Sequence, residues 1–163
     1  MANLEVVVFW IVNNGFHHTE EAIKQRGEVF TPDSLVNDML GKLHYSAFKD
    51  PSKTFLDNSC GNGQFLFAVM KRKMWWLMKQ DGKRLFDAHK QALKTIYGVE
   101  LDSKNAEECR LRLLNGSTSK ELRAIVNYNI RTADALNPDH EGWKDVGFYW
   151  DREESTIPQS SLS

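Results

Sequence analysis

The sequence predicts an α/β domain built around a parallel sheet. Short apolar segments alternate with longer amphipathic ones, in the order helix, strand, helix, helix, strand, helix, strand. The chain has 163 residues, which is the size of one ordinary domain and enough to bury a sizeable core. Hydrophobic residues make up 41% and charged residues 26% of the chain, as is typical of globular proteins. Right-handed crossovers between the strands would place the helices on the faces of the sheet.

Ahead of this alternating region, residues 4–12 are rich in β-branched and aromatic side chains, which predicts a strand buried on both faces. The polar, turn-rich residues 13–28 predict a loop with room for one short helix. The first helix is predicted in "FTPDSLVNDMLGKL", because Thr31 is a good N-cap and Pro32 suits the first helical position. Its apolar residues at helical spacing are Leu35, Val36, Met39, Leu40 and Leu43.

The middle of the chain predicts two strands with two helices between them. "KTFLD" at residues 53–57 predicts a short strand that runs into the glycine loop "NSCGNG". One helix is predicted over residues 64–80 and another over residues 83–95, after the turn at Gly82. "IYGVELD" at residues 96–102 then predicts a strand that ends in acidic residues.

The last part of the pattern is one helix and one strand. The helix is predicted over residues 103–116, where Asn115-Gly116 supplies the stop. The residues that share its apolar face are Ala106, Cys109 and Leu113. "NYNIRTADAL" at residues 127–136 predicts the third strand of the alternating region and its exit. Beyond it the pattern fades into a short aromatic cluster, and the polar tail over residues 152–163 is expected to be disordered.

Charge and cysteine content exclude several classes of protein. The net charge is −1, so any contact with nucleic acid must come from a local basic patch. The two cysteines have neither metal-ligand spacing nor a disulfide framework, which favours reduced thiols and a cytoplasmic location. His17-His18 lacks a third ligand at suitable spacing, so no metal site is predicted. We expect neither a membrane span nor a signal peptide.

The glycine loop between a strand and a helix is the first candidate for function. Gly61 and Gly63 let the backbone approach a ligand closely, and the N-terminus of the following helix favours negative groups. The dinucleotide fingerprint G-x-G-x-x-G is incomplete, because Leu66 stands at its third glycine position. Taken alone, the loop is explained equally well as a tight strand-to-helix turn.

Acidic residues follow three consecutive predicted strands, at Asp57, Glu100 and Asp134. Ligands of open α/β sheets bind outside the carboxyl ends of the strands, where an acid such as Glu100 can accept hydrogen bonds from both hydroxyls of a ribose. A single acid at a strand exit is often only a helix or turn cap. Three of them in register with a glycine loop favour a ligand site.

These motifs resemble those of a known family. "DNSCGNGQF", "YGVELD" and "ADAL" look like the first three cofactor motifs of S-adenosylmethionine-dependent methyltransferases. The upstream "RGEVFTP" is similar to the F-T-P motif of adenine-specific N6 DNA methyltransferases with gamma-type motif order. The resemblance implies a Rossmann-like class I methyltransferase domain over residues 26–151, three-layered (αβα) and incomplete in its C-terminal half. An N-terminal strand and loop would occupy residues 1–25.

The resemblance also implies S-adenosyl-L-methionine as cofactor and a set of contacts to it. The residues concerned are Phe30, Thr31, Pro32, Asp57, Ser59, Cys60, Gly61, Gly63, Glu100, Leu101, Asp134 and Ala135. The first three would pack beside the methionine part, and those from Asp57 to Gly63 would surround the amino-acid end and ribose. Glu100 would bind the ribose hydroxyls, and Asp134 would bind the adenine amino group. The sulfonium and ammonium of this ligand suit a carboxylate-rich pocket, which favours it over NAD.

The catalytic D/N-P-P-Y/F motif of that family is not found in the sequence, so the catalytic residues stay unknown. "NPDH" at residues 137–140 has Asp139 in place of the second proline, and an ordinary Asn-Pro turn explains it. Four interpretations stay open. The chain is an active N6-adenine DNA methyltransferase, a catalytically silent cofactor-binding or regulatory protein, or a subunit whose partner supplies the catalytic loop and target recognition. The fourth is methylation of RNA or of a protein amide, against which "FTP" argues.

Two segments predict partners. Residues 71–94 hold eight basic and two acidic residues around Trp75 and Trp76, which fits either a DNA-binding surface or two amphipathic helices with buried tryptophans. The basic residues are Lys71, Arg72, Lys73, Lys79, Lys83, Arg84, Lys90 and Lys94. The apolar segment Val6–Val12 would cover an exposed sheet edge, within the chain or across a homodimer or partner subunit, although a plain core strand is the simpler explanation.

Overall fold

The predicted α/β domain with a parallel sheet is confirmed. The computed structural model describes residues 32–146 and the two-residue strand β1 (Val7–Val8). β1 pairs in parallel with β2 (Phe55–Asp57), β2 with β3 (Ile96–Glu100), and β3 with β4 (Ile130–Thr132). The spatial order β1-β2-β3-β4 is therefore the order of the strands in the chain.

The described residues also contain six α-helices and one 3-10 turn. The helices are α1 (Asp33–Gly41), α2 (Ser46–Lys49), α3 (Gln64–Gln80), α4 (Leu85–Leu93), α5 (Ser103–Leu114) and α6 (Lys120–Asn129), and the 3-10 turn covers Glu141–Trp143. Pro32 is the N-cap of α1 and not its first residue, with φ −60° and ψ 146°. α3 has the predicted bounds, and α5 ends at Leu114 because Asn115 adopts the left-handed conformation, with φ 47°.

Residues 127–129 are not part of the third strand of the alternating region, so the prediction of a strand there is wrong. They form the last turn of α6, a helix that was not predicted. Ser119 begins α6, because its side chain accepts a hydrogen bond from the backbone N–H of Leu122 at 3.3 Å. The buried residues of this helix recur at helical spacing: Leu122, Ile125, Val126 and Asn129.

All six helices lie on one face of the sheet. Alternate strand residues point into the main core beneath these helices: Phe55, Ile96 and Ile130. The residues on the opposite face join a smaller cluster with the 3-10 turn: Leu56, Tyr97, Val99, Ala133 and Trp143. The predicted second helical layer is not found within residues 32–146. The strands lie side by side in the same order as in the chain. Right-handed crossovers between such strands place every connecting helix on the same side of the sheet.

Several predictions fall on other parts of the chain. Four of them lie outside the described residues: Phe30, Thr31, the boundary between residues 25 and 26, and the tail over residues 152–163. Of the apolar segment Val6–Val12, only Val7 and Val8 are described, and they pair with Phe55 and Leu56 of the same chain.

The structure buries one lysine of the basic segment, Lys73, which is 1% exposed. Its Nζ donates to the carbonyl oxygens of Lys53 at 2.6 Å and Asp50 at 3.4 Å. Burial lowers the pKa of Lys73 from 10.5 to about 8, although the charge of Asp50 acts in the opposite direction. This lysine belongs to the core, so the segment is not basic along its whole surface.

We expect Lys73 to give the free energy of unfolding a pH dependence. Its folded pKa lies below its ordinary value, so the unfolded chain binds more protons between pH 8 and 10.5. The contribution of Lys73 to stability therefore rises with pH across this window, by up to about 3 kcal/mol. Lys73→Met should remove the rise, and Lys79→Met, at an exposed site of the same helix, should keep it. Urea denaturation at both ends of the window measures this, and parallel curves for the wild type and Lys73→Met would contradict it.

Candidate ligand-binding site

A crevice of about 310 Å³ lies outside the carboxyl ends of β2, β3 and β4. This is where open α/β sheets bind their ligands. Its walls are Asn58, Ser59, Val99, Glu100, Leu101, Ala133, Asp134, Ala135 and Leu136. The ionisable residues among these are Glu100 and Asp134, both acidic. A positively charged ligand is therefore attracted to the crevice, and a pyrophosphate is repelled.

Glu100 connects the crevice to the glycine loop. It is the last residue of β3, and its Oε2 accepts a hydrogen bond from the backbone N–H of Gly61 at 2.9 Å. Its Oε1 accepts one from the N–H of Asp102, also at 2.9 Å. A carboxylate has about four lone-pair positions, so each oxygen can still accept a hydrogen bond from a ligand. Glu100 thus fixes the loop and offers acceptors to the crevice. The contact with Gly61 spans 39 residues of sequence, so no local pattern predicted it.

The glycine loop packs tightly against α5. Gly63 has φ +83°, and a Cβ atom on it would lie 2.6 Å from Sγ of Cys109. Arg112, also on α5, donates from Nε to the carbonyl oxygen of Asn62 at 2.9 Å. Gly63 is therefore needed both for its backbone conformation and for its lack of a side chain. The loop is held from two sides, by α5 and by Glu100.

Cys60 belongs to the packing of this loop and not to the crevice wall. It is 6% exposed, and its thiol lies beside that of Cys109. The hydrogen bond between the two thiols, together with burial, raises the pKa of Cys60 well above its ordinary value. A thiol that stays protonated is a poor nucleophile, so the structure gives Cys60 a packing role.

Asp57 is a buried carboxyl group just behind the crevice. It ends β2 and is 2% exposed, and its Oδ1 accepts a hydrogen bond from the N–H of Ser59 at 3.1 Å. Burial raises the pKa of Asp57 from 3.8 to about 6; the Ser59 hydrogen bond lowers it and the charge of Glu100 raises it further. Such a group is stabilised in its charged form by a cation beside it.

Asp134 is held in place by residues that the sequence analysis did not single out. Its Oδ1 accepts the N–H of Leu136 at 2.9 Å, and its carbonyl oxygen accepts Nε1–H of Trp143 at 2.9 Å. Trp143 is 2% exposed, and Arg131 donates to the carbonyl oxygen of Gly142 at 2.9 Å. The 3-10 turn is thus part of the frame of the crevice. In the sequence, the signal for this turn was one aromatic residue, Trp143, in a polar segment.

The "NPDH" segment forms a turn that leads into this frame. The N–H of Asp139 donates to Oδ1 of Asn137 at 3.0 Å, and the N–H of His140 donates to the carbonyl oxygen of Asn137 at 3.1 Å. Nδ1 of His140 accepts the N–H of Gly142 at 3.1 Å, so the imidazole caps the 3-10 turn. The ordinary Asn-Pro turn accounts for this segment.

The structure brings together only part of the predicted site. The predicted residues that line the crevice are Ser59, Glu100, Leu101, Asp134 and Ala135. The residues that support it from behind are Asp57, Cys60, Gly61 and Gly63. Pro32 is exposed at the start of α1 and is not part of the crevice wall. Four wall residues were not predicted: Asn58, Val99, Ala133 and Leu136.

Metal-binding clusters and membrane-spanning helices are both absent from the described part of the chain. It holds no group of three or more histidine, cysteine or acidic side chains arranged to bind a metal ion. None of its helices is long and apolar enough to cross a membrane.

The chain matches the sequence model of a known protein family. The sequence model of the N-6 DNA methylase family matches residues 14–150, which include the glycine loop, all the crevice walls and the 3-10 turn. No curated protein sequence matches the chain significantly.

Proposed function

The chain belongs to the N-6 DNA methylase family, and we propose that it binds S-adenosylmethionine in the crevice and serves adenine-specific N6 methylation of DNA. The proposal includes a Rossmann-like, class I architecture for the domain. One observation carries it: three neighbouring parallel strands end at a single crevice beside a glycine loop, with Glu100 and Asp134 in its walls and Asp57 just behind them.

The residues around the crevice suit this ligand in three respects. Glu100 lines the crevice and each of its carboxylate oxygens can accept a further hydrogen bond, which suits two vicinal ribose hydroxyls. Leu101 is 63% exposed in the crevice wall and offers an apolar surface to a flat adenine ring. Asp57 and Asp134 supply carboxylates for the ammonium group and the adenine amino group. A crevice whose walls hold no basic residue among those described favours this cation over NAD.

In this proposal the cofactor supplies a methyl group on a cationic sulfur, and the residues described here bind and orient it. Holding donor and acceptor in line would provide most of the rate. The exocyclic amine of adenine is a weak nucleophile and needs hydrogen-bond acceptors and a stacking ring around the flipped base. Asn137 cannot be assigned that part, because its side chain and carbonyl close a turn. We therefore assign no catalytic residue.

The role of "NPDH" as a turn favours a second candidate, in which a partner chain supplies the catalytic loop and target recognition. A third is a silent or regulatory protein that binds the cofactor only. A methylation assay on DNA, with and without candidate partner proteins, separates the three. Activity of the chain alone supports the first, activity only with a partner supports the second, and cofactor binding without methylation in any mixture supports the third.

The decisive experiment for cofactor binding is calorimetric titration with S-adenosylmethionine, with NAD as the control ligand. We expect selective binding of S-adenosylmethionine. Glu100→Gln should weaken it by about 10- to 100-fold, because the amide replaces one carboxylate oxygen that accepts a backbone N–H and a ribose hydroxyl.

Glu108→Gln is the matched control, since it removes the same charge at an exposed position of α5. It should leave the affinity unchanged. Equal affinity in the Glu100 and Glu108 variants would show that the ribose site is wrongly placed. No binding of S-adenosylmethionine by the wild type would overturn the proposal as a whole.

A further inference from the structure

An aromatic groove lies at the opposite end of the sheet from the crevice. It has a volume of about 270 Å³ and is walled by Leu40, Gly41, Leu43, Tyr45, Phe48, Arg72, Trp75 and Trp76. The loop after α2 enters β2 at its amino end, and Trp75 lies roughly 17 Å along α3 from the glycine loop. A ligand in this groove is therefore separate from one in the crevice.

Two large aromatic side chains are left exposed here. Tyr45 is 54% exposed and Trp75 is 53% exposed. Trp75 meets Trp76 edge to face, with ring centres 4.8 Å apart. The interpretation of residues 71–94 as helices with buried tryptophans is therefore wrong for Trp75, although Trp76 is half-buried. The edge-to-face contact with Trp76 supports the Trp75 ring, whose exposed surface can stack on a ligand.

Two cations lie over rings of the groove other than Trp75. Nζ of Lys49 lies 5.8 Å from the centre of the Tyr45 ring and 5.9 Å from that of Trp76. The guanidinium carbon of Arg72 lies 5.6 Å from the centre of the Phe48 ring. Neither cation has a carboxylate partner within residues 32–146, and none of the groove residues is acidic. By contrast, Lys90 of the same basic segment pairs with Glu121.

We propose that the aromatic groove binds single-stranded nucleic acid, with a base stacked on Trp75 and phosphates held by Lys49 and Arg72. A nucleotide combines a flat apolar ring with a negative charge, which complements exposed rings beside Lys49 and Arg72, two cations without a carboxylate partner within residues 32–146. In a duplex the bases are already stacked on each other, so a single strand is the better partner. The proposal does not rest on cofactor binding, because the groove and the crevice share no residue.

The test is fluorescence anisotropy of a short labelled single-stranded oligonucleotide, without S-adenosylmethionine, with the same sequence as a duplex for comparison. We expect the single strand to bind more tightly, and Trp75→Ala to weaken it by about 10- to 100-fold. Phe86→Ala is the matched control, because Phe86 is an aromatic residue of the same basic segment, 44% exposed, and is not a wall of the groove. It should bind like the wild type.

The salt dependence gives a second readout. Each phosphate contact that is lost reduces the slope of log affinity against log salt concentration by about 0.7 for a single strand. Lys49→Gln should reduce the slope by this amount, and Lys94→Gln, at an exposed position outside the groove, should not. A flat salt response, or equal binding by Trp75→Ala and the wild type, would overturn the proposal. A self-association that Trp75→Ala abolishes, without oligonucleotide binding, would assign the groove to a second copy of the chain instead.

Discussion

Replacing Gly63 by alanine is expected to lower the free energy of unfolding by about 2–5 kcal/mol. Two costs add up at this position. The backbone has φ +83°, which costs an L-residue about 1–2 kcal/mol. The new Cβ would also lie 2.6 Å from Sγ and 3.1 Å from Cα of Cys109, and overpacking of this kind costs about 1–3 kcal/mol. Chemical denaturation followed by circular dichroism measures the loss.

Gly61→Ala is the control that separates the two costs. Gly61 also has positive φ, at +52°, but a Cβ atom there would meet nothing within 4 Å. We expect only the conformational cost, about 1–2 kcal/mol. Adding Cys109→Ala to Gly63→Ala should recover part of the loss, because it removes the sulfur but leaves the backbone contact. Equal losses in Gly61→Ala and Gly63→Ala would show that α5 does not press on the loop.

Asp57→Asn is expected to raise the free energy of unfolding and, at the same time, to weaken cofactor binding. The folded pKa of Asp57, about 6, lies above the ordinary 3.8, so the folded chain binds more protons than the unfolded chain between these pH values. Ionisation of Asp57 therefore lowers the free energy of unfolding as the pH rises, and the loss is complete above pH 6. Asparagine carries no charge, and its Oδ1 can still accept the Ser59 N–H. The free energy of unfolding should therefore rise by about 1–3 kcal/mol above pH 6, and the gain should vanish below pH 3.8.

The same substitution should weaken S-adenosylmethionine binding by about 10- to 100-fold at neutral pH, the usual effect of losing a hydrogen bond to a charged group. In the wild type, affinity should fall about tenfold for each pH unit below 6, because the protonated carboxyl no longer attracts a cation. The variant should lack this pH dependence. Asp87→Asn, at an exposed position of α4, serves as control and should change neither quantity. A destabilised Asp57→Asn with unchanged affinity would make Asp57 a structural residue only.

Much of the fold could be predicted from local sequence signals. The bounds of α3 follow from the glycine loop that ends before Gln64 and from a continuous amphipathic pattern to Gln80. The ends of β2 and β3 follow from apolar runs that stop at Asp57 and Glu100. α6 was missed because "RAIVNYNI" contains β-branched and aromatic residues that also favour a strand, and its packing against α5 decided the outcome.

The candidate site was harder to predict, because its geometry depends on contacts between distant parts of the chain. The sequence identified Glu100 as an acid at a strand end, but not its hydrogen bond to Gly61. It identified Gly63 as a loop residue, but not Cys109 as the side chain that excludes any Cβ there. Arg131 and Trp143, which fix the loop of Asp134, belong to no recognisable motif. Long-range packing of this kind leaves no periodic signal in the sequence.

The arrangement of the strands also bears on how the chain folds during synthesis. Each described strand pairs with the strand made just before it, since their order in the sheet is their order in the chain. Every pairing therefore closes across one crossover, and the entropy lost on closing such a loop grows only slowly with its length. On the ribosome, β2 and β3 can join while α6 is still being made, and β4 then adds to an edge that already exists. The sheet can thus form one strand at a time, in the order in which the strands are synthesised, because no pairing requires a segment that is made much later.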